Sequence, residues 1–303
     1  MCGIVGLFLK NPALEGELGR HLKPMLIEMT ERGPDSAGIA VYGHDAPRDW
    51  VKLSLYHPDS TFNWAALDAR LRRDLETEVR HEVRANHAVF SVEASAERAL
   101  RWLKDHAQDV RVMAAGKRIE LFKDVGLPAK VADEFSLGQM SGSHGIGHTR
   151  MATESGITTV HSHPFAAGLD LCLVHNGTIS NYHSLRQWLV RHGGMSFESD
   201  NDSEVAAKYL AYRMKEGATL KEALEAGLED LDGFYTFCVG TEDGFAVLRD
   251  AFACKPAVIA ETDNYVAMAS EYRSLARLPG VEQAHVWEPK PETVYVWHRA
   301  GHA

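Results

Sequence analysis

Met1-Cys2-Gly3 sets a thiol at the second position of the chain, beside a small residue. A small residue in second place favours excision of the initiator methionine. Cys2 would then carry its thiol and a free α-amine together. An α-amine titrates at about 7.7–8.0 and a cysteine thiol at about 8.5. Modest desolvation makes the amine neutral at working pH, where it can serve as general base for its own sulfur. Taken alone a second-position cysteine is weak evidence, because a motif needs context.

That context comes in four further blocks. Arg32-Gly33-Pro34-Asp35-Ser36-Ala37-Gly38 follows an amphipathic segment. Gly147-His148-Thr149-Arg150-Met151-Ala152-Thr153 reads as a loop, Val174-His175-Asn176-Gly177-Thr178-Ile179 ends an apolar run, and Ser199-Asp200-Asn201-Asp202-Ser203-Glu204 opens a helical pattern. Two of them have plainer readings. Asn-Gly is a common hairpin turn, and Asp202-Ser203-Glu204 could serve only as a helix N-terminus with acidic residues in its first turn. His161 and His163 in HSHPF suggest metal ligation, but no third ligand stands at a sensible spacing, so no metal is expected.

Taken in order, these blocks resemble the class II glutamine amidotransferases, whose domain occurs in glutamate synthase, glucosamine-6-phosphate synthase, glutamine phosphoribosylpyrophosphate amidotransferase and asparagine synthetase. The matching anchors run from residue 2 to about 204. The resemblance implies an α+β fold, the four-layer αββα sandwich of N-terminal-nucleophile hydrolases, over residues 2–303. It implies that Cys2 attacks the side-chain amide of L-glutamine. Asn176, through its side-chain amide, and Gly177, through its backbone N–H, would form the oxyanion hole. Two neutral donors suit a developing O⁻, and glycine lets the backbone come close. Arg150 would clamp the substrate α-carboxylate in a fork that lysine does not reproduce, Asp202 would accept the α-ammonium, and Thr153 would support the same pocket. Arg32, Asp35 and His175 would brace the surroundings. The chain departs from several relatives at Met151, where they carry Trp or Tyr, and at Thr153-Glu154-Ser155, where some carry Thr-His-Gly.

Periodicity supplies the elements that position these blocks. CGIVGLFL (2–9) reads as a buried strand, followed by a helix with Leu18, Leu22, Met25, Leu26 and Met29 on one face. SAGIAVYG (36–43) is a second strand. Residues 49–115 read as an inserted β-α-β-α-β module, in which Leu67, Leu71, Leu75, Val79 and Val83 form a helical stripe. Gly- and His-rich loops follow residue 140. Then come the strand LCLVHNG (171–177), helices at about 181–192 and 202–230, and strands in FYTFCVGT, GFAVLRD, PAVIAET, NYVAMAS and TVYVWH. The module is expected to be a docking or regulatory element, or else a passive extension of the sandwich.

Composition is that of an ordinary globular protein: 303 residues, 45% hydrophobic, 24% charged, with a formal net charge of −10. The acidic balance argues against nucleic acid or an anionic membrane as partner, since phosphate binding needs a basic face. No stretch reaches the roughly 18 apolar residues that span a bilayer, and the N-terminus lacks the basic start of a signal peptide. Cys172, Cys238 and Cys254 sit in apolar runs and read as small core residues. Without disulfide or zinc spacing, a reducing cytoplasm is expected. No flavin, phosphoribosyl, sugar-isomerase or ATP-binding domain is seen, so the ammonia acceptor is expected on a separate synthase partner subunit. The motifs are most similar to stand-alone amidotransferase subunits of glutamate synthase-like complexes, including N-methylglutamate synthase. In such systems flavin and iron-sulfur clusters belong to the partner, and no cofactor is expected here. Two other readings stay open: an amide hydrolase of the same fold, and a silent glutamine-binding regulatory subunit.

Overall fold

The structure, a computed structural model, describes residues 2–152 and 156–299. The chain opens with β1 (Gly3–Leu9), α1 (Leu18–Glu28) and β2 (Ser36–Tyr42). It continues with β3 (Val51–Tyr56), α2 (Trp64–Leu75), β4 (Val79–Arg84), β5 (His87–Val92), α3 (Ala96–His106) and β6 (Arg111–Gly116). Then follow β7 (Ile119–Val125), α4 (Pro128–Glu134), β8 (His144–Arg150), β9 (Phe165–Ala167) and β10 (Leu171–Ile179). Three helices come next: α5 (Tyr182–Gly193), α6 (Asp202–Lys215) and α7 (Leu220–Asp230). The last strands are β11 (Gly233–Gly240), β12 (Gly244–Arg249), β13 (Val258–Glu261), β14 (Tyr265–Ala269), β15 (His285–Trp287) and β16 (Tyr295–His298).

Two antiparallel sheets face one another. One runs β15-β13-β14-β1-β8-β2-β7 and the other β16-β12-β11-β10-β9. Strand alternation explains why both are buried on both faces. In β1, Ile4 and Phe8 point to the opposite sheet, while Val5, Leu7 and Leu9 pack under α1 with Leu18, Leu22 and Met25. In β10, Cys172 and Val174 meet that central layer, and Leu171 and Leu173 pack under α5, α6 and α7. The result is the expected four-layer αββα sandwich of N-terminal-nucleophile hydrolases. Each fully buried Leu or Met contributes about 1.5–3 kcal/mol, so both outer helix layers are firmly seated.

Residues 51–116 form a third sheet, ordered β4-β5-β3-β6, with α2 and α3 on one face over a core of their own. The connectivity is β-α-β-β-α-β, one strand more than the periodicity suggests. The helical stripe fails after Leu75: Glu76 takes a left-handed φ of 47° and ends α2. Val79 and Val83 then belong to β4, where spacing by four also satisfies strand alternation. This sheet lies along the open side of the sandwich. Leu121 of β7 donates its N–H to Ser54 Oγ of β3 at 2.9 Å. The Asp170 carboxylate, between β9 and β10, accepts the N–H groups of Lys117, Arg118 and Ile119. The edges β7 and β9 are thereby covered rather than left open to pairing.

Three other expectations are corrected. Gly147 to Arg150 is not loop but part of β8, set between β1 and β2. His144, Ile146 and His148 alternate with Gly145 and Gly147, and the glycines give α1 room: a Cβ on Gly145 would stand 2.8 Å from Leu22. Cys254 is exposed in the connection between β12 and β13, whereas Cys172 and Cys238 are buried as expected. The helical region 202–230 is two helices, restarted by a capping box at Thr219 and Glu222.

Candidate active site

Cys2 precedes β1 and Arg150 ends β8. The register of these neighbours sets Gly3 opposite Thr149, which brings Cys2 and Arg150 to one end of the sheet. Asn176 and Gly177 reach the same end on β10 of the facing sheet, and Asp202 begins α6 in the outer layer. A cleft of about 360 Å³ is lined by Cys2, Arg150, His175, Asn176, Gly177 and Asp202 among others. A larger and more apolar cleft of about 520 Å³ lies by Leu169, Met195 and Met214, but among the described residues no cysteine, histidine or carboxylate lines it. Size alone would choose that one; chemistry chooses the cleft at Cys2.

Cys2 is held by its carbonyl. Cys2 O accepts from Asn176 Nδ2 at 3.1 Å and from Arg32 Nε at 2.8 Å. Arg32 is fixed in turn by Glu271 at 2.7 Å, and this hydrogen-bonded ion pair holds the Glu271 carboxyl below its ordinary range. Cys2 Sγ lies 3.8 Å from Met151 O, within range for a thiol donor. An amide side chain carries two N–H donors. One of those on Asn176 is spent on Cys2 O, which also fixes which way the amide faces, and the other is available to the cleft.

Asn176 and Gly177 are not a turn. They lie inside β10, opposite Thr236 and Tyr235 of β11. Gly177 takes φ +147°, and a Cβ there would stand 2.0 Å from Phe234 O. Only glycine lets the strand adopt this conformation at the cleft floor.

Arg150 is 6% exposed, and burial pushes its guanidinium pKa down against the opposing influence of Cys2, Asp35 and Asp200. Its Nη1 donates to Gly156 O at 3.1 Å. Asp35 accepts the Ala152 N–H at 2.8 Å and donates its own N–H to Arg150 O at 3.1 Å. Arg32 thus holds the segment that carries Cys2, and Asp35 the segment that carries Arg150. Asp202 is not the helix cap: Asn201 is, accepting the Ser203 N–H at 2.8 Å. Asp202 Oδ2 instead takes the Ile179 N–H at 2.9 Å. Thr153 lies outside the described residues.

Three buried imidazoles stand at the cleft, His163 and His175 in its lining and His148 behind them. His163 stacks on His148 with centroids 4.0 Å apart, and His148 Nε2 meets His175 O at 3.0 Å. Burial holds the pKa of all three down, His148 to about 3, so all are neutral. His161 stands apart, 2.9 Å from Asp200. Among the described residues no group of three or more His, Cys, Asp or Glu is placed to hold a metal ion, and no helix is long and apolar enough to cross a membrane. Sequence reasoning missed two residues. Ser203 lay within a quoted block and read only as part of a helix start. Glu271 reaches Arg32 across 239 positions, a distance at which no local pattern gives a signal.

A buried cation and a carboxylate thus flank one small cleft that also holds a thiol and two neutral donors. A sequence profile described as a glutamine amidotransferase domain matches residues 148–277. The chain is 51% identical over 298 residues to the glutamine amidotransferase-like protein GlxB of Rhizobium meliloti (strain 1021), covering 98% of each chain. It is 33% identical over 314 residues to a putative glutamine amidotransferase of Methanothermobacter thermautotrophicus, covering 97% of this chain and 99% of that one. Among solved structures it is similar in fold to the glutamine phosphoribosylpyrophosphate amidotransferase from B. subtilis. The TM-score is 0.60 at 20% identity, with 98% of this chain and 49% of that chain covered.

Proposed function

The chain belongs to the class II glutamine amidotransferase family, and from that premise we propose that it hydrolyses L-glutamine to L-glutamate and ammonia at Cys2 and hands the ammonia to a separate synthase subunit. The observation that carries the reading is the convergence of Cys2, Arg150, Asn176, Gly177 and Asp202 on one cleft from four separate segments. Arg150 supplies a cation for the substrate α-carboxylate and Asp202 an anion for its α-ammonium. The side-chain amide is thereby directed towards Cys2.

With Met1 removed, the α-amine of Cys2 takes the thiol proton as Sγ bonds to the amide carbon of glutamine. The carbonyl oxygen becomes an oxyanion between the Asn176 amide and the Gly177 N–H. The amine returns its proton to the departing nitrogen, the C–N bond breaks, and ammonia leaves a γ-glutamyl thioester. Water, deprotonated by the same amine, attacks that thioester and restores the thiol as glutamate leaves. Because Asn176 is anchored on Cys2 O, nucleophile and oxyanion donor move as one unit. Such preorganisation is what makes oxyanion donors effective.

Ammonia protonates in water and ceases to be a nucleophile, which favours direct transfer to a partner of the glutamate synthase or N-methylglutamate synthase kind. Any flavin or iron-sulfur chemistry then belongs to that partner. In this reading residues 49–115 form an inserted docking or regulatory element. Their helices α2 and α3 turn charged side chains such as Arg73 and Arg101 to solvent, although the sheet's cover of edges β7 and β9 fits a passive extension equally well.

The test is ammonia release from glutamine, asparagine and simple acyl amides. Activity confined to glutamine and lost in Cys2→Ala supports the reading. Preference for an acyl amide would indicate a hydrolase of the same fold, and glutamine binding without turnover a silent regulatory subunit.

A further inference from the structure

Ser203 is the second residue of α6 and is 1% exposed. Three groups converge on its hydroxyl: His175 Nδ1 at 2.8 Å, His163 Nε2 at 3.2 Å and Asp202 Oδ1 at 3.2 Å. A serine hydroxyl has one proton to give and two lone pairs to fill. Only one of the three groups can take the proton, and the other two must donate. An ionised carboxylate accepts only.

The imidazoles decide the pattern. Both are neutral, each with a single ring N–H. His175 Nε2 and His163 Nδ1 are buried and lack a hydrogen-bond partner among the described residues. A proton on either would be a stranded buried donor, a rare and costly state, whereas an unfilled lone pair is better tolerated. The ring protons therefore sit on His175 Nδ1 and His163 Nε2, both facing Ser203. Both donate to Oγ and fill its lone pairs, which leaves the hydroxyl proton for Asp202. The stack of His148 on His163 and the contact of His148 with His175 O keep both rings in place.

We propose that Ser203 is a positioning residue for the substrate's α-ammonium site: charged with two imidazole donors, its hydroxyl aims its proton at Asp202 Oδ1 and fixes that carboxylate. Ile179 N–H holds the other oxygen from β10, so the carboxylate is set between strand and helix where it lines the cleft. The proposal rests on the reading of Asp202 as the ammonium acceptor.

The test compares glutamine with glutaramate, which is glutamine without its α-amino group, read as substrate or as competitive inhibitor. Ser203→Ala is expected to raise KM for glutamine about tenfold, the size of one hydrogen bond to a charged group. It should leave kcat within about twofold and leave affinity for glutaramate unchanged. Ser203→Thr, which keeps the hydroxyl, should restore KM. Nitrogen-15 shifts of the wild-type imidazoles should report Nδ1–H on His175 and Nε2–H on His163. Equal losses on both ligands, an unchanged KM for glutamine in a folded Ser203→Ala protein, or the opposite tautomers would overturn the proposal. If Ser203→Ala does not fold, the wild-type tautomers and the Ser203→Thr kinetics still decide it. If wild type does not distinguish glutamine from glutaramate, or Asp202→Asn binds glutamine normally, the ammonium reading itself fails and the proposal falls with it.

Discussion

Acid should unfold this protein early, and histidine burial sets the amount. His87, His144 and His148 are 0–1% exposed, and burial pushes each pKa to about 3. In the unfolded chain each titrates near 6.5. Between those values the unfolded chain takes up protons that the folded protein refuses, so the stability present above pH 6.5 is lost as pH falls towards 3. The loss is about 1.4 kcal/mol per pH unit for each histidine, or about 2 kcal/mol each at pH 5. The three together cost about 6 kcal/mol there, and His163 and His175 add in the same direction. Total stability is typically about 5–15 kcal/mol, so urea unfolding followed by tryptophan fluorescence should show most of it gone by pH 5. His87→Phe isolates one share. His87 packs edge-on against Phe135 at 4.9 Å and its Nε2 has no partner among the described residues, so phenylalanine keeps the ring packing and gives up the contact of Nδ1 with Asn86 Oδ1 at 2.7 Å, a loss that is the same at both pH values. The advantage of the variant over wild type should grow by about 2 kcal/mol between pH 7.5 and pH 5. An advantage that stays constant across that range would refute the reasoning.

Asn176→Ala should lower kcat by about 10²–10³ with a smaller effect on KM, because the oxyanion exists only near the transition state; steady-state ammonia release measures both. Arg150→Lys should instead raise KM about 10–100-fold, as a point charge replaces a fork, and the reverse pattern for these two variants would mean the roles are misassigned. Gly177→Ala should lower the urea midpoint substantially, since its Cβ would fall 2.0 Å from Phe234 O at a positive φ. Arg73→Glu with Arg101→Glu should weaken pull-down of the proposed synthase partner and spare glutaminase turnover, while unchanged capture would leave the module a passive extension.

The fold and much of the cleft could be read ahead of the structure wherever a local pattern carried the information. β1 and α1 followed from periodicity, and Cys2, Arg150, Asn176, Gly177 and Asp202 from blocks that resemble those of the class II glutamine amidotransferases. β8 was not legible because its glycines look like turn signals, although they serve to admit α1. β4 was hidden because Val79 and Val83 satisfy helix and strand spacing alike. The exposure of Cys254 follows from a connection that runs over the surface, which its apolar neighbours do not reveal. Glu271 and the Ser203 cluster depend on tertiary contacts. Ser203 gathers partners from the segment before β9, from β10 and from its own helix, and sequence spacing cannot bring those together.

Everything in the mechanism turns on the α-amine of Cys2, so the most direct test sets two forms of one protein side by side. Intact mass would sort a preparation that begins at Cys2 from one that retains Met1, and ammonia release from glutamine would be measured for both. The account predicts turnover by the form that begins at Cys2 and essentially none by the other, in which the amine has become a peptide nitrogen and lost its basicity. Full activity with Met1 in place would contradict it.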